Sequence, residues 1–182
     1  MNDYFISEKI FGKQFFSKYY LVVLGIILLT VSSKIPLPFF PISMTLQTLV
    51  VYFISSFMGM LGFYAVLIYL LLGTLGLPIF SDGGGFEYIF SPMYGFLYGM
   101  LFASLTINYV IKSGYKNFTK ILLAIFAGFL MMYFIGICHL SYFIGIQKVF
   151  ISSFLLLIYG ELLKVILATI LIYILMLKFN KN

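Results

Sequence analysis

The chain has 182 residues, of which 63% are hydrophobic and 9% charged, and its net charge of +6 is carried by lysine without a single arginine. A soluble domain keeps about a quarter of its residues charged, so this composition excludes a soluble globule and indicates an integral membrane protein. The lysines sit mostly in short hydrophilic stretches and the aromatics inside the apolar runs, a pattern of membrane orientation and not of a nucleic-acid surface.

Residues 1–18 are polar, with Asp3, Glu8 and three lysines, and lack the layout of a removable signal peptide. The first apolar run, Tyr19–Ser33 between Lys18 and Lys34, is predicted as helix 1, a retained transmembrane helix. Pro36, Pro38 and Pro41 follow closely and exclude a regular helix. Either this segment is a rigid connection or it folds back over the bundle, since irregular backbone near a membrane must be covered by protein or line a cavity. Ser43 to Leu77 carries no charge and is too long for one crossing of about 20 residues. It divides at Gly59-Met60-Leu61-Gly62 into helix 2, Ser43–Met58, and helix 3, Phe63–Leu75. Gln47 places an amide near the start of helix 2, where it either bonds a neighbouring helix or faces a ligand.

Ser81-Asp82-Gly83-Gly84-Gly85-Phe86-Glu87 is the most polar interior loop. Its glycines allow close backbone approach to a ligand or simply make a flexible turn. A nucleotide-binding loop is excluded, because no lysine and hydroxyl follow the last glycine. Pro92 suits a helix start, and helix 4 is predicted over Met93–Ile111, with Gly95 and Gly99 at the spacing that admits a close neighbour. Lys112, Lys116 and Lys120 precede helix 5, Ile121–Leu140. Cys138 and His139 lie about 100° apart on that helix and read as a small packing residue and an interfacial aromatic; neither a zinc site nor a nucleophile pair can be assembled from them.

Val149 to Leu177 is an almost unbroken apolar run in which Glu161 and Lys164 are the only charges. A charge at bilayer depth is costly, rare and usually functional. Three residues apart on a helix, the two share a face, about 60° and 4.5 Å apart. They form either an ion pair that neutralises itself between helices or part of a pocket. Counting about 20 residues back from Lys178 puts Glu161 one turn below the outer edge of the hydrocarbon. The expected fold is therefore an all-α integral membrane protein, a six-transmembrane-helix bundle with both termini cytoplasmic. Residues 19–178 form its membrane domain, between a cytoplasmic segment 1–18 and a tail 179–182. With Lys9, Lys13, Lys18, Lys112, Lys116, Lys120, Lys178 and Lys181 inside, the orientation follows the positive-inside rule. The proline loop, the glycine loop and the start of helix 6 then share the outer face.

Ile35-Pro36-Leu37-Pro38 followed by Phe40-Pro41-Ile42-Ser43-Met44-Thr45-Leu46-Gln47-Thr48-Leu49 resembles the signature of the BioY family. The stretches Tyr69–Phe80, Ser91-Pro92-Met93-Tyr94-Gly95-Phe96 and Gly160-Glu161-Leu162-Leu163-Lys164 resemble its later blocks in order. The chain departs from that pattern with Glu161 where aspartate is usual, Tyr159 where proline is usual, Met60 and Leu61 after the first hairpin glycine, a helix 1 without an alanine stripe, and no arginine. The resemblance implies a biotin-specific substrate-binding subunit of an energy-coupling factor (ECF) transporter in the cytoplasmic membrane. Such a subunit works with a transmembrane coupling protein and two ABC-type ATPases that hydrolyse the ATP. It would need no cofactor, metal or catalytic residue of its own.

On that reading Lys164 supplies charge or a donor to biotin and Glu161 accepts from its ureido N–H groups, with Asp82, Gln47 and Tyr94 as further ligand-facing residues. A subunit for another vitamin is the nearest alternative. A channel or proton relay wants several titratable groups across the bilayer, which helices 2 to 5 do not offer. A scaffold leaves the charged pair unexplained, and an intramembrane hydrolase lacks a nucleophile and base.

Overall fold

The computed structural model describes residues 15–37, 44–112, 117–145 and 155–180. Among them are six α-helices: α1 (Phe15–Ser33), α2 (Gln47–Met58), α3 (Met60–Thr74), α4 (Tyr94–Ile111), α5 (Phe118–Ile144) and α6 (Leu155–Asn180). By length and composition, α4, α5 and residues Ile158–Lys178 of α6 can each cross a membrane, whereas the apolar parts of α1, α2 and α3 are shorter. The 12 residues of α2 rise about 18 Å, against a hydrocarbon core of about 30 Å.

Several boundaries differ from the sequence reading. Helix α1 begins four residues before Tyr19. Helices α2 and α3 are separated by Gly59 alone, not by a four-residue turn; at φ 59° this residue takes a conformation that costs other L-residues energy, so one glycine suffices to break the helix. Met44 and Thr45, expected within helix 2, instead pair antiparallel with Leu37 and Pro36 as a two-stranded ribbon, β1 (Pro36–Leu37) and β2 (Met44–Thr45). Proline fixes an extended approach and the ribbon satisfies its backbone groups. Pro38, Pro41 and Ser43 lie outside the described residues, as do Lys9, Lys13, Lys116, Lys148 and Lys181. Helix α5 is longer than expected at both ends, started by Asn117, whose side chain accepts from the Lys120 N–H at 3.0 Å.

The surface is inverted relative to a soluble protein. On α6, Leu163, Ile166, Leu167, Ile170, Leu171, Ile174 and Leu177 are 40% to 55% exposed, while Val165, Ala168, Ile172 and Met176 turn to the core. The two charges lie on that inner face, Glu161 at 4% and Lys164 at 1% exposure. An apolar outer belt with charges inside is the arrangement a lipid solvent dictates.

Glycines set how closely the helices pack. A Cβ on Gly99 would lie 2.6 Å from the Met132 carbonyl oxygen, and one on Gly95 2.3 Å from the His139 Cβ, so α4 and α5 touch through the small-residue face expected from the sequence. Cys138 is exposed and does not pack in the core, contrary to expectation. His139 is half-buried, its Nε2 lying 3.2 Å from the Ser91 carbonyl, which ties α5 to the start of α4.

Candidate functional site

Helices α2 and α6 build the buried end of a cavity of about 430 Å³. The Lys164 ammonium donates to Glu161 Oε1 at 2.7 Å and to Thr48 Oγ1 at 2.9 Å. Thr48 Oγ1 donates to the same carboxylate oxygen at 2.8 Å, and the Tyr52 hydroxyl donates to Oε2 at 3.0 Å. Three donors thus hold the Glu161 carboxylate, whose two oxygens offer about four acceptor positions. The ammonium uses two of its three N–H donors on these partners. The pair is therefore held in place yet keeps one acceptor position and one donor beyond the hydrogen bonds among the described residues. Thr48 and Tyr52 sit one helical turn apart on α2, on one face.

The open end is made by the segment between α3 and α4, which α1 and α3 anchor. Ser33 Oγ and the Tyr69 hydroxyl donate to the Ile79 carbonyl at 2.8 and 2.9 Å. Lys34 Nζ donates to the Phe80 carbonyl and, at 3.3 Å, to that of Ser81. Phe80 and Gly83 close a tight bridge. Gly83 and Gly85 take φ of 125° and 128°, open to glycine alone, and the Gly85 N–H reaches the Gly73 carbonyl at 2.8 Å. The triple glycine thus serves a folded roof, which continues into a short 3₁₀ turn, Phe86–Phe90.

The residues predicted from sequence divide clearly. Glu161, Lys164, Gln47 and Asp82 all line the one cavity. Asp82 stands at the open end, its Oδ2 accepting from Ser81 Oγ at 3.1 Å and from the Tyr88 hydroxyl at 3.4 Å. Tyr94 is not part of the wall; it is buried behind the roof, edge-on to Phe80 at 6.4 Å and to Tyr98 at 4.5 Å. Phe80 takes the place expected of it. Glu87 is exposed on the 3₁₀ turn.

Sequence reasoning missed Thr48, Tyr52, Tyr133 and Lys34. Tyr133 lines the cavity with its ring packed on Phe129 at 4.7 Å and edge-on to Phe96 at 5.8 Å. Its hydroxyl and the Gln47 amide nitrogen are buried without a hydrogen-bond partner among the described residues. Each such group costs about 1–3 kcal/mol, so the wall is better satisfied with a polar ligand against it. Met100, Met132, Phe96 and Leu97 supply an apolar side. No group of three His, Cys, Asp or Glu side chains that could hold a metal comes together among the described residues.

An apolar-surfaced helical bundle that turns its charged pair into a roofed internal cavity defines a membrane protein with a ligand-sized site; pockets of about 300–1,000 Å³ with a few placed polar groups are the common form of small-molecule sites. The family model described as "BioY family" matches residues 9–180, and the chain belongs to that family. The "Probable biotin transporter BioY" of Lysinibacillus sphaericus is 42% identical over 79 residues, which make up 43% of this chain and 39% of that relative. "Biotin transporter BioY2" of Lactococcus lactis subsp. cremoris is 32% identical over 158 residues, covering 82% of this chain and 85% of the relative. The fold matches a crystal structure described as the S-component for biotin from an ECF-type ABC transporter, with a TM-score of 0.78, 22% identity and 92% coverage of both chains.

Proposed function

We propose that this chain binds biotin and is the substrate-binding subunit for its uptake across the cell membrane by an ECF-type ABC transporter. The carrying observation is the buried Glu161–Lys164–Thr48 group lining a cavity of about 430 Å³ in a chain of the BioY family. Biotin pairs a ureido ring, with two N–H donors and one carbonyl, to an apolar thioether ring and tail. Glu161 accepts from a ureido N–H, and the remaining Lys164 N–H donates to the ring carbonyl. Gln47 lies beside them, and Phe80, Phe96, Met100 and Met132 cover the apolar part. The names of the relatives and the description of the matching crystal structure support the same ligand.

In this proposal all six helices form the membrane domain of a multi-pass protein, both termini are cytoplasmic, and the cavity faces outward. A transmembrane coupling protein and two ABC-type ATPases complete the transporter and hydrolyse ATP, while this chain performs no catalysis. Three departures, Glu161 in place of aspartate, Tyr159 in place of proline and the lack of arginine, favour one alternative, a subunit for a different vitamin. The test is a thermal-shift and labelled-ligand series on the detergent-purified chain with biotin, thiamine, riboflavin and folate. Biotin alone should stabilise it. Stabilisation by one of the others without biotin would overturn the specificity, and uptake undiminished in cells lacking the ATPases would overturn the subunit role.

A further inference from the structure

We infer that the open end of the cavity is a carboxylate-binding subsite in which Lys34 receives the anion. This deepens the biotin reading and rests on it. Lys34 directly follows α1 and lines the cavity with Ser33, Ser81 and Asp82. Its ammonium is held by the Phe80 and Ser81 carbonyls, which are neutral: they fix its position and leave its charge uncompensated. Among the described residues the ion pair is Glu161–Lys164, so of the two lysines in the wall Lys34 is the one without a carboxylate partner. Two of its three N–H donors are used on carbonyls, and the third is left for a ligand. Asp82 shares this end, its Oδ2 accepting from the Ser81 and Tyr88 hydroxyls, and it opposes an incoming anion.

The two ends thus differ in chemistry. The buried end offers a neutralised acceptor–donor pair suited to a neutral polar ring, and the open end a fixed cation. A ligand with a ureido head and a carboxylate tail enters head first and leaves its carboxylate on Lys34. The subsite defines a class of ligand: a small carboxylic acid with a neutral hydrogen-bonding ring at the far end.

The experiment compares dissociation constants for biotin and for biotinol, in which an alcohol replaces the carboxylate, on the purified full chain at low ionic strength. The wild type should favour biotin at least fivefold. Lys34→Met should bring the ratio near one, Lys34→Arg should restore it, and Asp82→Asn should raise it. A Lys34 that only anchors the roof would weaken both ligands alike and leave the ratio intact, so an unchanged ratio in Lys34→Met overturns the assignment. A wild type without preference overturns it too. Binding of neither ligand to the wild type removes the biotin reading itself and this subsite with it, a result distinct from the other two.

Discussion

Replacing Lys164 by methionine keeps an unbranched side chain of nearly the same length and removes its charge and donors. In the native structure the ammonium makes hydrogen bonds of 2.7 Å to Glu161 and 2.9 Å to Thr48 at 1% exposure. Removing one partner of a buried pair costs about 3–5 kcal/mol because the other charge is stranded. Thr48 and Tyr52 still donate to Glu161, which places the expected stability loss near the lower end, about 3 kcal/mol. For the ligand, losing one hydrogen bond to a charged donor costs about 1.5–3 kcal/mol, and a tenfold loss corresponds to about 1.4 kcal/mol. Equilibrium binding of labelled biotin to Lys164→Met should therefore weaken at least tenfold, with a lower melting temperature in the absence of ligand. Stability and recognition separate in the double variant Glu161→Gln with Lys164→Met. Without a stranded carboxylate it should regain much of the melting temperature and none of the affinity. Wild-type affinity in either variant would refute the reasoning, since the pair would then serve the fold alone.

Other perturbations reach different parts of the site. Tyr133→Phe removes a buried hydroxyl that has no partner among the described residues; it should raise the melting temperature of the ligand-free protein by the equivalent of about 1 kcal/mol and weaken biotin binding several-fold, and a drop in ligand-free stability would show that the hydroxyl already has a partner. Gly73→Ala would bring a Cβ to 2.2 Å from Phe80 Cζ, an overpacking worth about 1–3 kcal/mol. It should lower the melting temperature and the affinity together, with Phe80→Leu in the same chain recovering part of both; unaffected biotin binding would show that Phe80 does not set the cavity wall. Glu87→Gln, on the exposed 3₁₀ turn, should leave the dissociation constant within about twofold, because an exposed charge outside the cavity has little to lose, and a larger change would extend the site onto that turn.

Glu161 and Lys164 were legible from sequence because bilayer energetics make any charge in an apolar run conspicuous. Gln47 and Asp82 were legible as the polar exceptions of a helix start and a loop. Thr48 and Tyr52 carry no such flag: hydroxyls are common in membrane helices, and only their spacing of one turn on α2, facing α6, gives them a role. Lys34 read only as the charge that bounds helix 1. Its use depends on a partner 46 residues away in sequence, the Phe80 carbonyl, and no local pattern encodes that meeting. Tyr94 was misplaced for a related reason. Its position in the chain is next to the site, but its ring is buried edge-on to Phe80, which lines the cavity where Tyr94 does not.

The sequence left two readings of the charged pair open, an ion pair between helices and a pocket group, and the geometry shows that they are not alternatives. The ion pair lies within α6; what joins α6 to α2 is the set of hydroxyl bonds from Thr48 and Tyr52 to the Glu161 carboxylate. These bonds strengthen as their acceptor becomes more negative and drier. A ligand that draws on the remaining Lys164 donor and displaces water from the buried end acts on the same network that fastens the two helices. On the proposed reading, ligand binding and α2–α6 association share one acceptor and are linked in free energy. The proposed ligand contacts and the fastening of α2 to α6 thus rest on the same carboxylate.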